Sequence, residues 1–354
     1  MNSRRVAFLA AFVIAAGVAG NDATAAPVTL AAPAQGRIHA FTQDGRRIAW
    51  IGHRQRVYIK TLSTGRSAVV GRALRQAGGD PPIGFRVDLL ALAGKRAVWT
   101  SLVGGNCIET SVLTASLDER MQRGVDLMKF CSVEGNVITA VAGDAATLAF
   151  SHVRFEFDPV TGCSRVSSGR TARLVGASAV TVPGSVPAVR LAVSGGRVAV
   201  VPADPTCMND AVLGPAPSAA VQIQTASDVA LLAAFSPAGT IRALALSGTR
   251  AVVLVEAADG SKRVERYDAA TGAFLGMTPV ASGVAPDLDI AGEWIVYRTG
   301  RAIRLIDAVT GAEQLLVTAP ITPLGLSIES RRVAWAENRR GHGRVRSVLA
   351  PLRP

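Results

Sequence analysis

The sequence has little of what catalytic and membrane-spanning proteins commonly require. Only 18% of its 354 residues are charged and 5% are aromatic. Its four histidines are isolated from one another, and none stands at metal-ligand spacing from another histidine, a cysteine or a carboxylate. It contains no Gly-x-Ser-x-Gly or Ser-x-x-Lys motif and no phosphate-binding loop. The sequence therefore predicts no catalytic residue, no metal ligand set and no cofactor.

Lysine is also scarce, although the chain is strongly basic. Four lysines stand against 34 arginines, and the formal net charge is +12. A GC-rich coding sequence would explain this bias without any function. A functional explanation is an anionic partner, such as an envelope polymer, a lipid headgroup or an acidic polysaccharide. Few aromatic residues accompany the arginines, so single-stranded nucleic acid is not predicted as a partner.

The N-terminus predicts an exported protein. Arg4 and Arg5 precede the apolar run 6–19, and Ala23-Thr24-Ala25 offers small residues before a cleavage site at Ala26. We therefore expect residues 1–25 to be a cleaved signal peptide and the mature protein to be periplasmic or extracellular. No later apolar run reaches about 18 residues, so no transmembrane segment is predicted after cleavage.

One short sequence motif recurs seven times and predicts the fold. Each copy has a turn, a few small or β-branched residues, and a bulky or apolar anchor. The anchors are Trp50, Trp99, Phe150, Val200, Val253, Tyr297 and Trp335. The spacing of roughly 40–50 residues, with period-two apolar runs, is typical of stacked four-stranded sheets. We expect an all-β protein in which residues 26–354 form one seven-bladed β-propeller, with six blades as the alternative, and tryptophans 50, 99 and 335 in its core.

The first repeat resembles a known family. The segment Thr42–Trp50, followed by Val57-Tyr58-Ile59 and Thr64-Gly65, is similar to the repeat of TolB-like and WD40-like β-propellers. The turns at 268–272 and 307–311 resemble the Asp-x-x-Thr-Gly that closes such a blade. This resemblance implies a propeller that binds other macromolecules, and it transfers no catalytic residue.

The last repeat has only three strand-like segments before the chain stops. Residues 27–31 near the mature N-terminus offer a spare strand. Its pairing with residues 344–349 would close the last blade and remove two open sheet edges.

Four cysteines in an exported chain suggest two disulfides. Three pairings are formally open. If the runs 108–113 and 125–130 form an antiparallel hairpin that turns near Glu119, Cys107 faces Cys131. Cys163 would then pair with Cys207. All four are expected to be structural, because no cysteine has a histidine close in sequence to activate it.

Loops between second and third strands emerge on one face of a propeller, and in three consecutive repeats they carry arginine. The sequence predicts an anion-binding rim, because guanidinium groups match carboxylate and phosphate geometry. Solvated hairpin tips would also explain these charges. The rim residues are Arg54, Arg56, Arg298, Arg301, Arg339, Arg340 and Arg344, with His53 and His342 beside them.

Two main functions remain open at this stage, beside a third, a subunit of a larger envelope complex that would co-purify with its partner. The first is a non-enzymatic binding or scaffold propeller at the cell envelope, with a protein or an anionic envelope polymer as partner. The second is a propeller enzyme with lactonase-like or lyase-like hydrolytic activity and a metal in the central channel. Asp287 and Asp289 could supply two carboxylates for a calcium site there, or could simply be solvated at the start of a strand. The inner strands consist mainly of Ala, Val and Leu, which favours binding over catalysis.

Overall fold

The computed structural model describes residues 26–31, 36–76, 89–104, 107–119, 121–131, 134–204 and 217–352. They form 29 β-strands and one 3-10 turn at His53–Gln55. The strands are β1 Val28–Ala31, β2 Ala40–Asp44, β3 Arg47–Ile51, β4 Arg56–Thr61, β5 Ser67–Arg72, β6 Arg75–Gln76, β7 Leu90–Ala93, β8 Arg96–Val103, β9 Cys107–Ser116, β10 Arg123–Cys131, β11 Glu134–Asp144, β12 Thr147–Asp158, β13 Cys163–Val175, β14 Ser178–Thr181, β15 Ala188–Ser194, β16 Arg197–Pro202, β17 Val221–Thr225, β18 Leu231–Phe235, β19 Thr240–Ser247, β20 Arg250–Glu256, β21 Lys262–Asp268, β22 Phe274–Val280, β23 Val284–Ala291, β24 Trp294–Thr299, β25 Ala302–Asp307, β26 Glu313–Thr318, β27 Leu324–Glu329, β28 Arg332–Arg339 and β29 His342–Leu349.

Local sequence explains the strands and the turns between them. Along β3 and β8 the two residues before the anchor are small or branched and buried, which suits a strand covered by neighbouring sheets. The first turn of the first repeat needs Gly45, whose φ of 54° is costly for residues with a Cβ. In the closing turn of the sixth repeat, Asp307 Oδ1 accepts the backbone N–H groups of Val309 and Thr310 at 2.8 and 2.9 Å.

The strands build six sheets within the described residues, and all but one have four strands. Four are the meanders β2–β5, β15–β18, β19–β22 and β23–β26, and the fifth has the order β1-β29-β28-β27. Strands β6 to β14 form a single nine-stranded sheet. The prediction of seven four-stranded blades is therefore wrong: the described residues form five four-stranded blades. The fold is an all-β propeller with four-stranded antiparallel blades.

The nine-stranded sheet has a physical cause. It contains the meanders β7–β10 and β11–β14, which come from the second and third repeats, and its central strands β9 to β13 are 9–13 residues long. At that length β10 reaches β11, and Phe130 pairs with Gly135 and Cys131 with Glu134. The hydrogen-bond ladder therefore continues from one repeat into the next.

The two ends of the described chain meet in one sheet. Strand β1 pairs antiparallel with β29, with Val28 opposite Ser347 and Thr29 opposite Arg346. Lys60 of the first repeat donates to the carbonyl of Leu30 at 2.6 Å. Because β29 has a partner on both sides, the outer edge of this sheet falls on a short four-residue strand.

The innermost strands of the seven repeats surround a central channel. Strands β2, β7, β11, β15, β19, β23 and β27 contact one another in this order, and β27 contacts β2 again. Apolar clusters lie between neighbouring sheets, and Trp50, Trp99 and Trp335 are buried, which confirms their predicted place in the core. No helix in the described part of the chain has the length and apolar character needed to cross a membrane.

The hairpin β9–β10 carries the first predicted disulfide. Cys107 and Cys131 are register partners and are bonded to each other, with their Cα atoms 4.3 Å apart. This pairing is confirmed. Cys163 is disulfide-bonded as well, whereas Cys207 lies outside the described residues, so the Cys163–Cys207 pairing stays a prediction.

Candidate functional site: an arginine-bearing face and an acidic channel

The propeller has two unlike faces, set by strand direction. We call the end where inner strands begin the loop face, because the connections between second and third strands lie there, including 52–55 and 340–341. We call the opposite end the turn face. It carries the first turns of the repeats, including 45–46 and 330–331, and their closing turns, such as 62–66.

Four of the predicted rim arginines are fully available on the loop face. Arg54 and Arg56 of the first repeat and Arg339 and Arg340 of the seventh are exposed. Within the described residues, no ion pair and no side-chain hydrogen bond involves any of these four guanidinium groups. They are therefore free to meet an anion from solution.

Segment 36–38 connects the two loops that carry these arginines. The backbone N–H of Gly343 donates to the carbonyl of Gly36 at 2.8 Å, and Asn338 makes two 2.8 Å bonds with the backbone of Ile38. A Cβ added to Gly36, where φ is 81°, would lie 2.6 Å from the Cβ of His53. The loop of the first repeat and the hairpin of the seventh thus pack against the same short segment.

The remaining rim residues are engaged or partly covered. Arg298 Nε lies 2.5 Å from an oxygen of Asp287, and this pair largely neutralises its charge. Arg301 is exposed and donates to the carbonyl of Pro320 at 3.3 Å. Arg344 is half-buried and stands opposite Glu337 in the β28–β29 register.

The channel is more acidic than its composition suggested. It has a volume of about 480 Å³, and no lysine or arginine lines it at the turn-face end. Although the sequence indicated a lining of Ala, Val and Leu, four carboxylates line it: Asp44, Asp144, Asp289 and Glu329. Sequence reasoning missed three of them, and the structure corrects it.

Three of these acids occupy one position of the repeat. The residue six places before each anchor is Asp44, Ala93, Asp144, Ser194, Ser247, Ala291 or Glu329 in the seven successive copies. Wherever this residue is polar, its side chain accepts the backbone N–H of the next position in the following repeat. The donors are Gly94 to Asp44, Gly195 to Asp144 at 2.7 Å, Gly248 to Ser194 at 3.1 Å, Gly292 to Ser247 at 3.3 Å, and Gly45 to Glu329.

The two alanines in this series are compensated by neighbouring acids. Ala93 has no side-chain acceptor, and the N–H of Ala145, which would be its donor, bonds to Asp44 instead. After Ala291 the role passes to Asp289, whose Oδ2 accepts from Ser327 Oγ at 2.9 Å and from the N–H of Ile328 at 2.8 Å. All four channel carboxylates therefore bind the backbone of another repeat.

Burial raises the pKa values of Asp44, Asp289 and Glu329, and repulsion from nearby carboxylates adds to the effect. Desolvation is the main cause at Asp44 and Glu329, and nearby carboxylates, Asp144 among them, raise both pKa values further. Desolvation also raises the pKa of Asp289 from 3.8 to about 6, against the hydrogen bonds that lower it. The turn-face end of the channel is thus a site where negative charge is concentrated and costly.

Arginines stand at the other end of the same channel. Arg190 and Arg242 line a smaller cavity of about 130 Å³ where β15 and β19 begin. Arg242 Nε lies 2.7 Å from Glu256, and Arg190 Nε donates to the carbonyl of Arg242 at 3.2 Å. The channel therefore runs from a basic mouth on the loop face to an acidic mouth on the turn face.

Asp287 and Asp289, the two carboxylates considered for a calcium site, lie in different surroundings. Asp289 lines the channel, whereas Asp287 pairs with Arg298. Within the described residues, no group of three His, Cys, Asp or Glu side chains is placed to hold a metal ion. What the channel acids do in this structure is bind neighbouring repeats to one another.

Comparisons with solved structures find propellers. The chain superposes with a TM-score of 0.51 on the WD40 β-propeller domain of Doa1, at 13% identity, over 91% of this chain and 96% of that one. Saccharomyces cerevisiae Sqt1 gives a TM-score of 0.50 at 10% identity, over 92% and 99%. The computationally designed Ika8 protein gives 0.52 at 14% identity, over 87% and 82%. Neither a protein-family model nor a curated protein matches the sequence.

These likenesses confirm the fold-level resemblance to WD40-like propellers that the first repeat suggested. At 10–14% identity they show the fold alone. Any activity or partner has to be argued from the faces of this chain.

Proposed function

We propose that this protein is an exported, non-enzymatic binding propeller that holds an anionic partner on its loop face. The observation that carries the proposal is the exposure of four arginines that make no ion pair within the described residues. Arg54, Arg56, Arg339 and Arg340 are exposed without ion pairs within the described residues, on two loops that pack against one segment.

The distribution of charge supports this function beyond the net charge of +12. The channel carboxylates lie at the turn-face end and are bonded to backbone, so they do not compete with these four arginines for an anion. A guanidinium group offers a planar pair of N–H donors that fits carboxylate, sulfate and phosphate oxygens. Clustered exposed cations also accelerate the approach of an anion at low salt.

The test uses a non-peptidic polyanion, dextran sulfate, immobilised on a column. Wild-type protein should be retained and should elute only with added salt, because screening weakens exposed charge interactions. The double variant Arg339→Gln/Arg340→Gln should elute at clearly lower salt. The matched control Arg46→Gln/Arg66→Gln removes two exposed arginines from the turn face and should elute close to the wild type.

Equal shifts for the two double variants would mean that retention follows net charge alone, and the proposal would then be wrong. Thermal unfolding of both variants provides the folding check, since all four substituted side chains are exposed.

Export is a separate part of the proposal. The disulfide Cys107–Cys131 supports an oxidising compartment, because such bonds are uncommon where thiols are kept reduced. We expect the mature protein to begin at Ala26 and to be recovered outside the cytoplasm, which intact-mass measurement of fractionated material checks. Recovery of the uncleaved chain from the cytoplasm would contradict it.

The metal-dependent enzyme remains the second candidate because one observation favours it. Asp144 Oδ1 is buried and has no hydrogen-bond partner within the described residues. Metal analysis of the purified protein decides between the two: a stoichiometric divalent ion lost in an Asp144→Asn variant would favour the enzyme. A metal content unchanged by that substitution would leave the binding function as the better account.

A further inference from the structure

Two of the rim arginines, Arg54 and Arg56, also line a groove between the first and second repeats, together with Arg72. The groove has a volume of about 550 Å³ and lies between the outer strand β5 and the turn before β10. Its lining residues are Arg54, Arg56, Val69, Val70, Gly71, Arg72, Met121 and Gln122. Its size falls in the range of clefts that enclose small ligands or a few side chains. Sequence analysis singled out two of its arginines, and Arg72 was missed because it ends an outer strand rather than a loop.

Among the described residues that line the groove, three are arginines and none carries a carboxylate. Arg72 Nε donates to the carbonyl of Arg54 at 3.1 Å, which orients its guanidinium. Within the described residues, its two Nη groups have no partner. The nearest acids along the chain, Asp118 and Glu119, lie 3.2 Å from Lys95 and Arg96 and are occupied there.

The backbone under the groove is held in place before any ligand binds. The N–H of Arg72 donates to Gln122 Oε1 at 2.8 Å, and its carbonyl accepts from the indole of Trp99 at 3.2 Å. Gly71 lies so close to buried Trp99 that an added Cβ would be 2.4 Å from the ring. Such preorganisation reduces the ordering cost of binding.

Apolar side chains stand beside these charges and define the ligand class. Met121 is 66% exposed and Val69 is 43% exposed, although both are large hydrophobic residues. A polysaccharide sulfate or a polyphosphate would leave them uncovered. A ligand with carboxylates and apolar groups side by side would meet the arginines and cover the apolar walls together.

We propose that this groove binds an acidic peptide segment of a partner protein, in which leucine-like side chains alternate with glutamate or aspartate. The inference deepens the proposed anionic partner and shares Arg54 and Arg56 with it, but the groove also has residues of its own. These are Arg72 and Met121, which lie outside the pair of loops described above.

The test measures fluorescence anisotropy of a labelled peptide of alternating Glu and Leu against the full mature protein. Arg72→Gln should weaken binding about tenfold, the scale of a lost charged hydrogen bond. Met121→Gln should weaken it about threefold and should have no effect on a matched peptide of alternating Glu and Ser, which should bind the wild type more weakly. Both variants should unfold at the wild-type temperature.

The double variant Arg339→Gln/Arg340→Gln separates this site from the rim. It should bind the Glu–Leu peptide like the wild type while losing retention on dextran sulfate. Arg72→Gln should do the reverse. If Arg72→Gln leaves peptide affinity unchanged, or if the rim variant loses it equally, the groove assignment is overturned while the dextran sulfate result still stands on its own. Tighter binding to phosphatidylglycerol vesicles than to the peptide, with the same dependence on Arg72, would also overturn the peptide assignment.

Discussion

The charged side chains at the turn-face end of the channel are carboxylates, and each of the four accepts backbone hydrogen bonds from another repeat. On the loop face, Arg54, Arg56, Arg339 and Arg340 keep their guanidinium groups exposed. The same closed ring thus uses its channel carboxylates internally and presents these four arginines to solvent. The difference teaches that net charge alone does not locate a binding surface, because the pairing of each charge and its place on the ring also matter.

The channel carboxylates also explain how so many small sheets stay together. A residue such as Asp44 satisfies a donor in the next repeat that would otherwise face the channel. Buried donors left unpaired cost about 1–3 kcal/mol each. Repeats that cannot shield their own edges are therefore connected around the ring by side chains as well as by apolar packing.

The largest effect is expected for Asp44→Ala, which removes a carboxylate from the acidic end of the channel. The N–H groups of Gly94 and Ala145 would lose their acceptor, and we expect the free energy of unfolding to fall by about 2 kcal/mol. Urea unfolding followed by tryptophan fluorescence measures it. Asp44→Asn is the matched control: its amide oxygen still accepts, and the repulsion with Asp144 is removed, so it should recover most of the loss. Equal destabilisation by both substitutions would show that the hydrogen bond is not what matters.

The pH dependence of stability tests the channel carboxylates in a second way. Because the pKa of Asp289 is raised to about 6, the folded state holds its proton more tightly than the unfolded state between about pH 4 and pH 6. This group therefore stabilises the fold least at high pH, and its contribution falls as pH rises through that window. Asp289→Asn should reduce the wild-type loss of unfolding free energy between pH 4 and pH 6 by at least about 1 kcal/mol. A pH profile parallel to that of the wild type would contradict the assignment.

The smallest effect is expected on the basic side, at Arg298. Its Nε lies 2.5 Å from Asp287, so its charge is already balanced within the protein. Arg298→Gln should shift dextran sulfate retention far less than Arg339→Gln, with less than about a twofold change in affinity, as expected for a charge that is already paired. A shift as large as that of Arg339→Gln would mean that pairing does not decide which arginines bind.

The sequence was sufficient for the all-β propeller and for the disulfide Cys107–Cys131, because strand period, turn residues and hairpin register are local properties. It was wrong about seven separate blades. Whether β10 bonds to β11 depends on strand length and the end-to-end path of two repeats, and two residue pairs are enough to merge them.

The candidate site was predictable only in part. The rim arginines could be placed on one face from topology, but the pairing of Arg298 with Asp287 depends on side-chain geometry. Three of the channel acids could have been predicted, because aligning the seven repeats on their anchors places Asp44, Asp144 and Glu329 in one column. Arg72 stands opposite Arg56 in the register of the β4–β5 hairpin, but the groove is complete only where the turn before β10 packs beside β5, and the sequence does not show that packing.

Hydrogen–deuterium exchange of the mature protein with and without dextran sulfate tests the account most directly. Binding through the loop face predicts slower exchange at residues 36–39, 52–56 and 339–344, with the turns at 44–47 and 62–66 unchanged. Protection of the turn face, or equal protection of both faces, would contradict the claim that the grouped unpaired arginines of the loop face, rather than the net charge, select the binding surface.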